Sequence, residues 1–137
     1  MADTLVDSNV LLDVLTNDPR WFAWSAEALS RCASESTLVI NPIIYAEVSI
    51  GFARIEDLDG ALDPAQFDRR SLPSEAAFLA GKCFLKYRRR GGARASTLPD
   101  FYIGAHAAIE GLALLTRDAR RYRSYFPTLK LIAPAER

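Results

Sequence analysis

The chain has 137 residues, half of them hydrophobic, a length and composition that suit one domain with one core and exclude a disordered segment. Seventeen basic and 17 acidic side chains cancel to a net charge of zero. No apolar stretch approaches the ~18 residues of a membrane helix, and no basic segment leads into an apolar one at the N-terminus. The two cysteines, Cys32 and Cys83, fit no metal-ligand spacing. A soluble cytoplasmic protein with reduced, helix-buried thiols is expected, read as one domain over residues 1–137.

In chain order, Thr4-Leu5-Val6 is a short apolar run ending at Asp7, and Asp7-Ser8-Asn9 starts a helix over Val10 to Leu15. Asp18-Pro19 opens a second helical stretch to about Ser34. Leu38-Val39-Ile40 is the next strand candidate, closed by Asn41-Pro42, and Ile43 to Ala53 reads as a helix. The acidic segment 54–73, with Gly60, Pro64 and Pro73, is expected to hold a short helix and loops. Ser74 can cap a helix from Glu75 to Arg90, which Gly91-Gly92 ends with cations in its last turn. Pro99 opens a helix from Asp100 to Glu110 with Gly111 as its stop. Leu112 to Leu115 is a third strand candidate, Thr116-Arg117-Asp118 a further helix start, and Leu129 to Ile132 a last strand. Continuous apolar strands alternating with amphipathic helices predict an α/β fold with a parallel sheet covered on both faces. Ligands bind such sheets beyond the carboxyl ends of the strands.

Four acids fall where this architecture reaches that crevice. Asp7 ends the first strand, Glu47 lies in the helix after the second, Asp100 opens the helix leading into the third, and Asp118 follows it. They stand 40, 53 and 18 residues apart, so only the fold can gather them. Singly, Asp7, Asp100 and Asp118 are also explained as helix-start residues, and Glu47 as a solvated one. Together they would repel and raise one another's pKa unless a cation joined them. Oxygen donors without His or Cys select Mg²⁺ or Mn²⁺ over zinc, and such a site can activate water for phosphodiester cleavage.

Leu5-Val6-Asp7-Ser8-Asn9, Glu47, Leu98-Pro99-Asp100-Phe101 with Ile103-Gly104-Ala105-His106-Ala107, and Leu114-Leu115-Thr116-Arg117-Asp118 resemble the acidic motifs of the PIN-domain family. The resemblance spans residues 5 to 118 and is strongest to the VapC-type toxins of bacterial toxin–antitoxin pairs. It implies a three-layer α/β/α sandwich and an endoribonuclease dependent on Mg²⁺ or Mn²⁺. It implies Asp7, Glu47, Asp100 and Asp118 as the catalytic acids, with Asp7 and Asp100 as metal ligands. Ser8 and Thr116 would be hydroxyls orienting those carboxylates or water. The implied partners are an RNA substrate, an antitoxin and a second copy of the chain in a homodimer. One departure is that Ala119, Arg120 and Arg121 follow Asp118, where some members carry a further acid, so a complete second metal site is not carried over.

The zero net charge conceals a split. Residues 1–75 carry 13 acids and 5 bases (−8), residues 76–137 carry 4 acids and 12 bases (+8). Either the two halves neutralise each other in the fold, or the basic half meets a polyanion. In the second case Arg88, Arg89, Arg90, Arg94 and Arg117 are the candidate RNA contacts, positioning phosphates without reading sequence. Trp21, Phe22 and Trp24 put rings on more than one side of a helix start. They are core, or one of Trp21 and Trp24 faces a partner helix, which the resemblance makes an antitoxin. His106, without a triad partner, is expected to pack or lie at the surface. Two other classes remain open: a Mg²⁺-binding signalling receiver, disfavoured by Asn41 and Arg117 at the strand ends where it needs Asp and Lys, and a catalytically silent RNA- or protein-binding module of the same fold.

Overall fold

Strands that are apolar at every position can be buried on both faces, as a parallel sheet between helices requires. The computed structural model describes residues 2–91 and 97–135. Its elements run β1 (Thr4–Val6), α1 (Ser8–Leu15), α2 (Phe22–Glu35), β2 (Leu38–Ile40), α3 (Pro42–Ser49), α4 (Ile55–Ala61), β3 (Phe67–Arg69), α5 (Ser74–Arg89), α6 (Leu98–Glu110), β4 (Ala113–Leu115), α7 (Arg120–Arg123) and β5 (Leu131–Ile132). The five strands form one sheet in the order β3-β2-β1-β4-β5, every pair parallel. Strands β1, β2 and β4 are buried throughout. The chain walks outward from β1 to β2 and β3, then crosses back past β1 to β4 and β5. Right-handed crossovers in opposite directions place helices on opposite faces of the sheet. They also leave a switch point between β1 and β4, where such sheets open a crevice. No helix among the described residues is long and apolar enough to cross a membrane.

The α/β expectation holds, with three local differences. Segment 54–73 contributes α4 but also the edge strand β3, paired with β2 in the register Leu38↔Phe67 to Ile40↔Arg69. Only Phe67 of that strand is buried. An edge strand with charges turned to water carries no apolar run to betray it. Helix α3 stops at Ser49 instead of reaching Ala53, because the chain turns there with Gly51 N donating to Val48 O. Helix α5 has Pro73, not Ser74, at its N-cap, and no side chain caps it. The expected C-terminal stop of α6 is present, with Gly111 at φ 66°, a conformation glycine adopts without strain.

Two sets of contacts fix the helices that carry the acids. The rings of Phe84, Tyr87, Phe101, Tyr125 and Phe126 meet in a cluster, with Phe101 lying 5.5 Å from Phe84, 5.4 Å from Tyr125 and 6.5 Å from Phe126. This cluster ties α5 and the segment after α7 to the first turn of α6. Asn41 Oδ1 accepts from Ile44 N at 2.9 Å and caps α3, while its Nδ2 donates to His106 Nδ1 at 2.9 Å. Since Asn41 has its acceptor engaged on α3, His106 must accept at Nδ1 and carry its proton on Nε2, 3.3 Å from Glu110. His106 is fully buried, and burial holds its pKa below the usual value. The expected packing role is what it has. Cys32 and Cys83 are buried free thiols.

Gly104 lies where α6 meets Phe126. A Cβ there would stand 2.5 Å from the ring, which is itself held by Phe101. Gly104→Ala should therefore destabilise the domain by about 1–3 kcal/mol through overpacking, read as a lower midpoint in urea unfolding with an unchanged slope.

Candidate active site

The switch point places Asp7 and Thr116 side by side, since Asp7 N donates to Leu115 O at 2.9 Å. Asp7 stands at the N-cap of α1 but makes no side-chain cap bond, so its position is not explained by capping. Instead its Oδ2 accepts from Thr116 Oγ1 at 2.9 Å and from the Tyr122 hydroxyl at 2.7 Å. Asp7 is buried, and desolvation outweighs those two bonds and pushes its pKa up, with the Asp100 charge adding to the rise.

Glu47 projects from α3 and accepts from Ser8 Oγ at 2.9 Å. Burial raises its pKa first, and the charges of Asp7 and Asp100 raise it further. Asp100, three residues after the N-cap Thr97, accepts with Oδ2 from the Thr97 N–H at 2.9 Å and hydroxyl at 3.2 Å. Its Oδ1 is left to Arg121 Nη1, 3.4 Å away. Three of the four acids thus share one region and feel one another, although they come from three separate helices, Asp7 and Asp100 at the starts of α1 and α6 and Glu47 in the second half of α3.

Asp118 sits at the rim. Its N–H donates to Thr116 Oγ1 at 3.1 Å, and its carboxylate pairs with Arg121 Nε at 2.8 Å. The structure brings Ser8 to Glu47 and Thr116 to Asp7. It adds Tyr122 and Asn9, whose Nδ2 reaches Thr116 Oγ1 at 3.4 Å and whose Oδ1 accepts from Arg117 N at 3.2 Å. Tyr122 carried no sequence signal, because a tyrosine four residues beyond Asp118 points at Asp7 only once β4 is beside β1.

The basic residues divide. Arg117, a candidate RNA contact, is engaged elsewhere. Its Nε and Nη2 fork onto buried Asp13 at 2.8 and 3.0 Å, and its guanidinium covers the Trp21 ring. Ser25 Oγ donates to the same carboxylate at 2.7 Å. Arg88, Arg89 and Arg90 are exposed at the end of α5, Arg88 lying over Phe84 and Arg90 over Tyr125. Arg94 falls outside the described residues. Trp21 and Trp24 meet edge to face at 6.4 Å. Trp24 packs against the core, whereas Trp21 lies between Arg117 and Arg20 at the helix start.

As their side chains lie, no three of the described Asp, Glu, His and Cys residues gather closely enough to enclose a metal ion. Mg²⁺ needs no such cage: it is held by one or two carboxylates and keeps water in its other positions. The all-oxygen pair Asp7 and Asp100, with Glu47 close by, fits a hard divalent cation of this kind and disfavours zinc.

The family model for the PIN domain matches residues 4–126. No curated protein sequence matches the chain. Among solved structures, the chain resembles VapBC2 from Rickettsia felis bound to a promoter DNA fragment, with a TM-score of 0.72 and 19% identity over 95% of this chain and 97% of that one. It also resembles DNA-bound VapBC from Salmonella typhimurium, at 0.71 and 19% over 97% and 98%. VapBC-1 from nontypeable Haemophilus influenzae is similar at 0.70 and 20% over 95% and 96%. At these identities the likeness is one of fold. The family match sets the signalling receiver aside.

A raised pKa in the folded state means that stability is lost as pH climbs through it, because the fold must then hold a charge that the unfolded chain leaves in water. Asp7→Asn removes that charge from beside Asp100. Without divalent ions it should raise the melting temperature at pH 7 by about 4 °C, roughly 1 kcal/mol. The gain should shrink towards pH ~4, where the unfolded carboxyl is itself protonated. Thermal unfolding of both proteins across that range checks it.

Proposed function

Since the chain belongs to the PIN-domain family, we propose that it is a divalent-metal-dependent endoribonuclease and the toxin of a toxin–antitoxin pair. The observation that carries the reading is the set of Asp7, Glu47 and Asp100 at the β1–β4 switch point, where burial first and the neighbouring carboxylates next raise the pKa of Asp7 and Glu47. Like charges kept together in a buried crevice mark a functional site. Asp7 and Asp100 would hold Mg²⁺ or Mn²⁺, which when bound neutralises phosphate oxygens and makes water a better nucleophile. Thr116 and Tyr122 orient the Asp7 carboxylate by donating to Oδ2, and Thr97 does the same for Asp100. Glu47, its pKa raised by burial and by the charges of Asp7 and Asp100 and its position set by Ser8, is suited to take a proton from the attacking water. Asp118 belongs to the same site from the rim.

An acidic crevice repels RNA, so attraction must come from nearby cations. The exposed Arg88, Arg89 and Arg90 at the end of α5 are the proposed phosphate contacts, together with Arg94. The antitoxin reading rests on the VapBC complexes among the similar folds and on helix α2. With α1 and the β3 side, α2 walls an open groove of about 510 Å³ lined by Leu11, Val14, Leu29, Ala33 and Phe67, a shape suited to an apolar helix face. A homodimer in the cytoplasm completes the proposal.

Cleavage of RNA should vanish in excess EDTA and return with Mg²⁺ or Mn²⁺, and Asp100→Asn should lower the rate at least about 100-fold while the fold persists. RNA binding without cleavage in any metal would instead favour the catalytically silent module. For the partner, Trp21→Ala should leave cleavage and folding near those of the parent and weaken inhibition by the antitoxin, measured by titration, by about 2 kcal/mol. Trp24→Ala, which opens the core side, should lower stability instead.

A further inference from the structure

A cation already stands among the four carboxylates. Arg121 pairs with Asp118 through Nε at 2.8 Å, within one helical turn, and reaches Asp100 Oδ1 through Nη1 at 3.4 Å. The charges of Asp100, Asp118 and Asp7 all act on it, and its own charge in turn acts on Glu47. The two contacts are unequal. The short one goes to the rim acid, the long one to a buried acid that the proposed reading makes a metal ligand. Asp100 has only Oδ1 to give, because Thr97 holds Oδ2. The Arg121 side chain is 41% exposed, so the guanidinium can leave Asp100 without opening the core.

We propose that Arg121 is a displaceable counter-ion of the acidic crevice, resting on Asp100 Oδ1 when no divalent ion is held there and turning to an RNA phosphate when one is. This rests on the metal-dependent nuclease reading and adds a residue to it. Arg121 must give up Asp100 Oδ1 for an ion to be held by Asp7 and Asp100, since guanidinium and ion need the same oxygen and repel each other. Its bond to Asp118 survives that loss and keeps the guanidinium at the mouth of the crevice. There, among the described residues, its remaining donors are unspent, and a planar fork of N–H groups suits a phosphate better than a point charge does. Asp118 is then a tether for the arginine, which gives the fourth acid a role that needs no direct contact with the ion. Arg121 is thus a positioning residue whose two resting places are set by the charge in the site.

The experiment measures Mn²⁺ binding by calorimetry without RNA, and RNA binding at several salt concentrations with Ca²⁺ in place of the catalytic ion. Arg121→Ala should tighten Mn²⁺ binding about tenfold, the effect of removing one unit charge a few ångström from a divalent ion in water. It should also weaken RNA binding and lower the salt slope by about 0.7, the loss of one contact to a single strand. Arg120→Ala, its exposed neighbour, should leave Mn²⁺ affinity unchanged and controls for general charge. If the alanine variant does not fold, Arg121→Gln keeps the stem and is expected to act in the same direction. Mn²⁺ binding equal to or weaker than that of the parent, or an equal gain in Arg120→Ala, overturns the role of Arg121 alone. An unchanged salt slope overturns its phosphate contact. No Mn²⁺ binding by the parent overturns the metal reading and this inference with it.

Discussion

The buried carboxylate of Asp7 is the constraint on which the site depends. A charge at the end of the central strand can persist only if the surrounding groups donate to it. Two do, and they come from more than 100 residues further along the chain, Thr116 from the end of β4 and Tyr122 from α7. Both arrive because β4 lies directly beside β1, in the register Val6↔Leu115. The crossover that returns the chain past β1 is therefore what builds the site, and α6, which makes that return, brings Asp100 with it. Topology and chemistry are one decision here.

Part of this molecule is legible in the sequence because burial on both faces of a sheet leaves a simple pattern. The strands β2 and β4 are apolar at every position and β1 at all but Thr4, and a parallel sheet leaves few other uses for such triplets. Asp7, Asp100 and Asp118 are legible because each stands next to a strand end or helix start, whereas Glu47 lies in the second half of α3. Their spacing excludes local pairing. What stays hidden depends on contacts that have no period. Strand β3 has one buried residue in three. Tyr122 and Asn9 matter through a hydrogen bond to a partner far along the chain. Arg117 looks like a free cation beside Asp118, and only the fold reveals the buried Asp13 that claims both arms of its fork.

The charge split resolves into three parts by the same test. Arg117 from the basic half neutralises Asp13 from the acidic half, which is the internal compensation that zero net charge suggested. Arg121 answers acids on its own side of the split and sits half exposed among them. The last turn of α5 is different again, with Lys86, Arg88 and Arg89 complementing the helix dipole while their side chains stay at the surface. A cation held by a buried carboxylate cannot serve a ligand without breaking the core. A cation at a helix end can, and its attraction for an anion rises as salt falls. Basic residues close together in sequence thus differ in what they can bind. Arg117 is committed, Arg121 is poised between partners, and the end of α5 is open to whatever polyanion approaches the crevice.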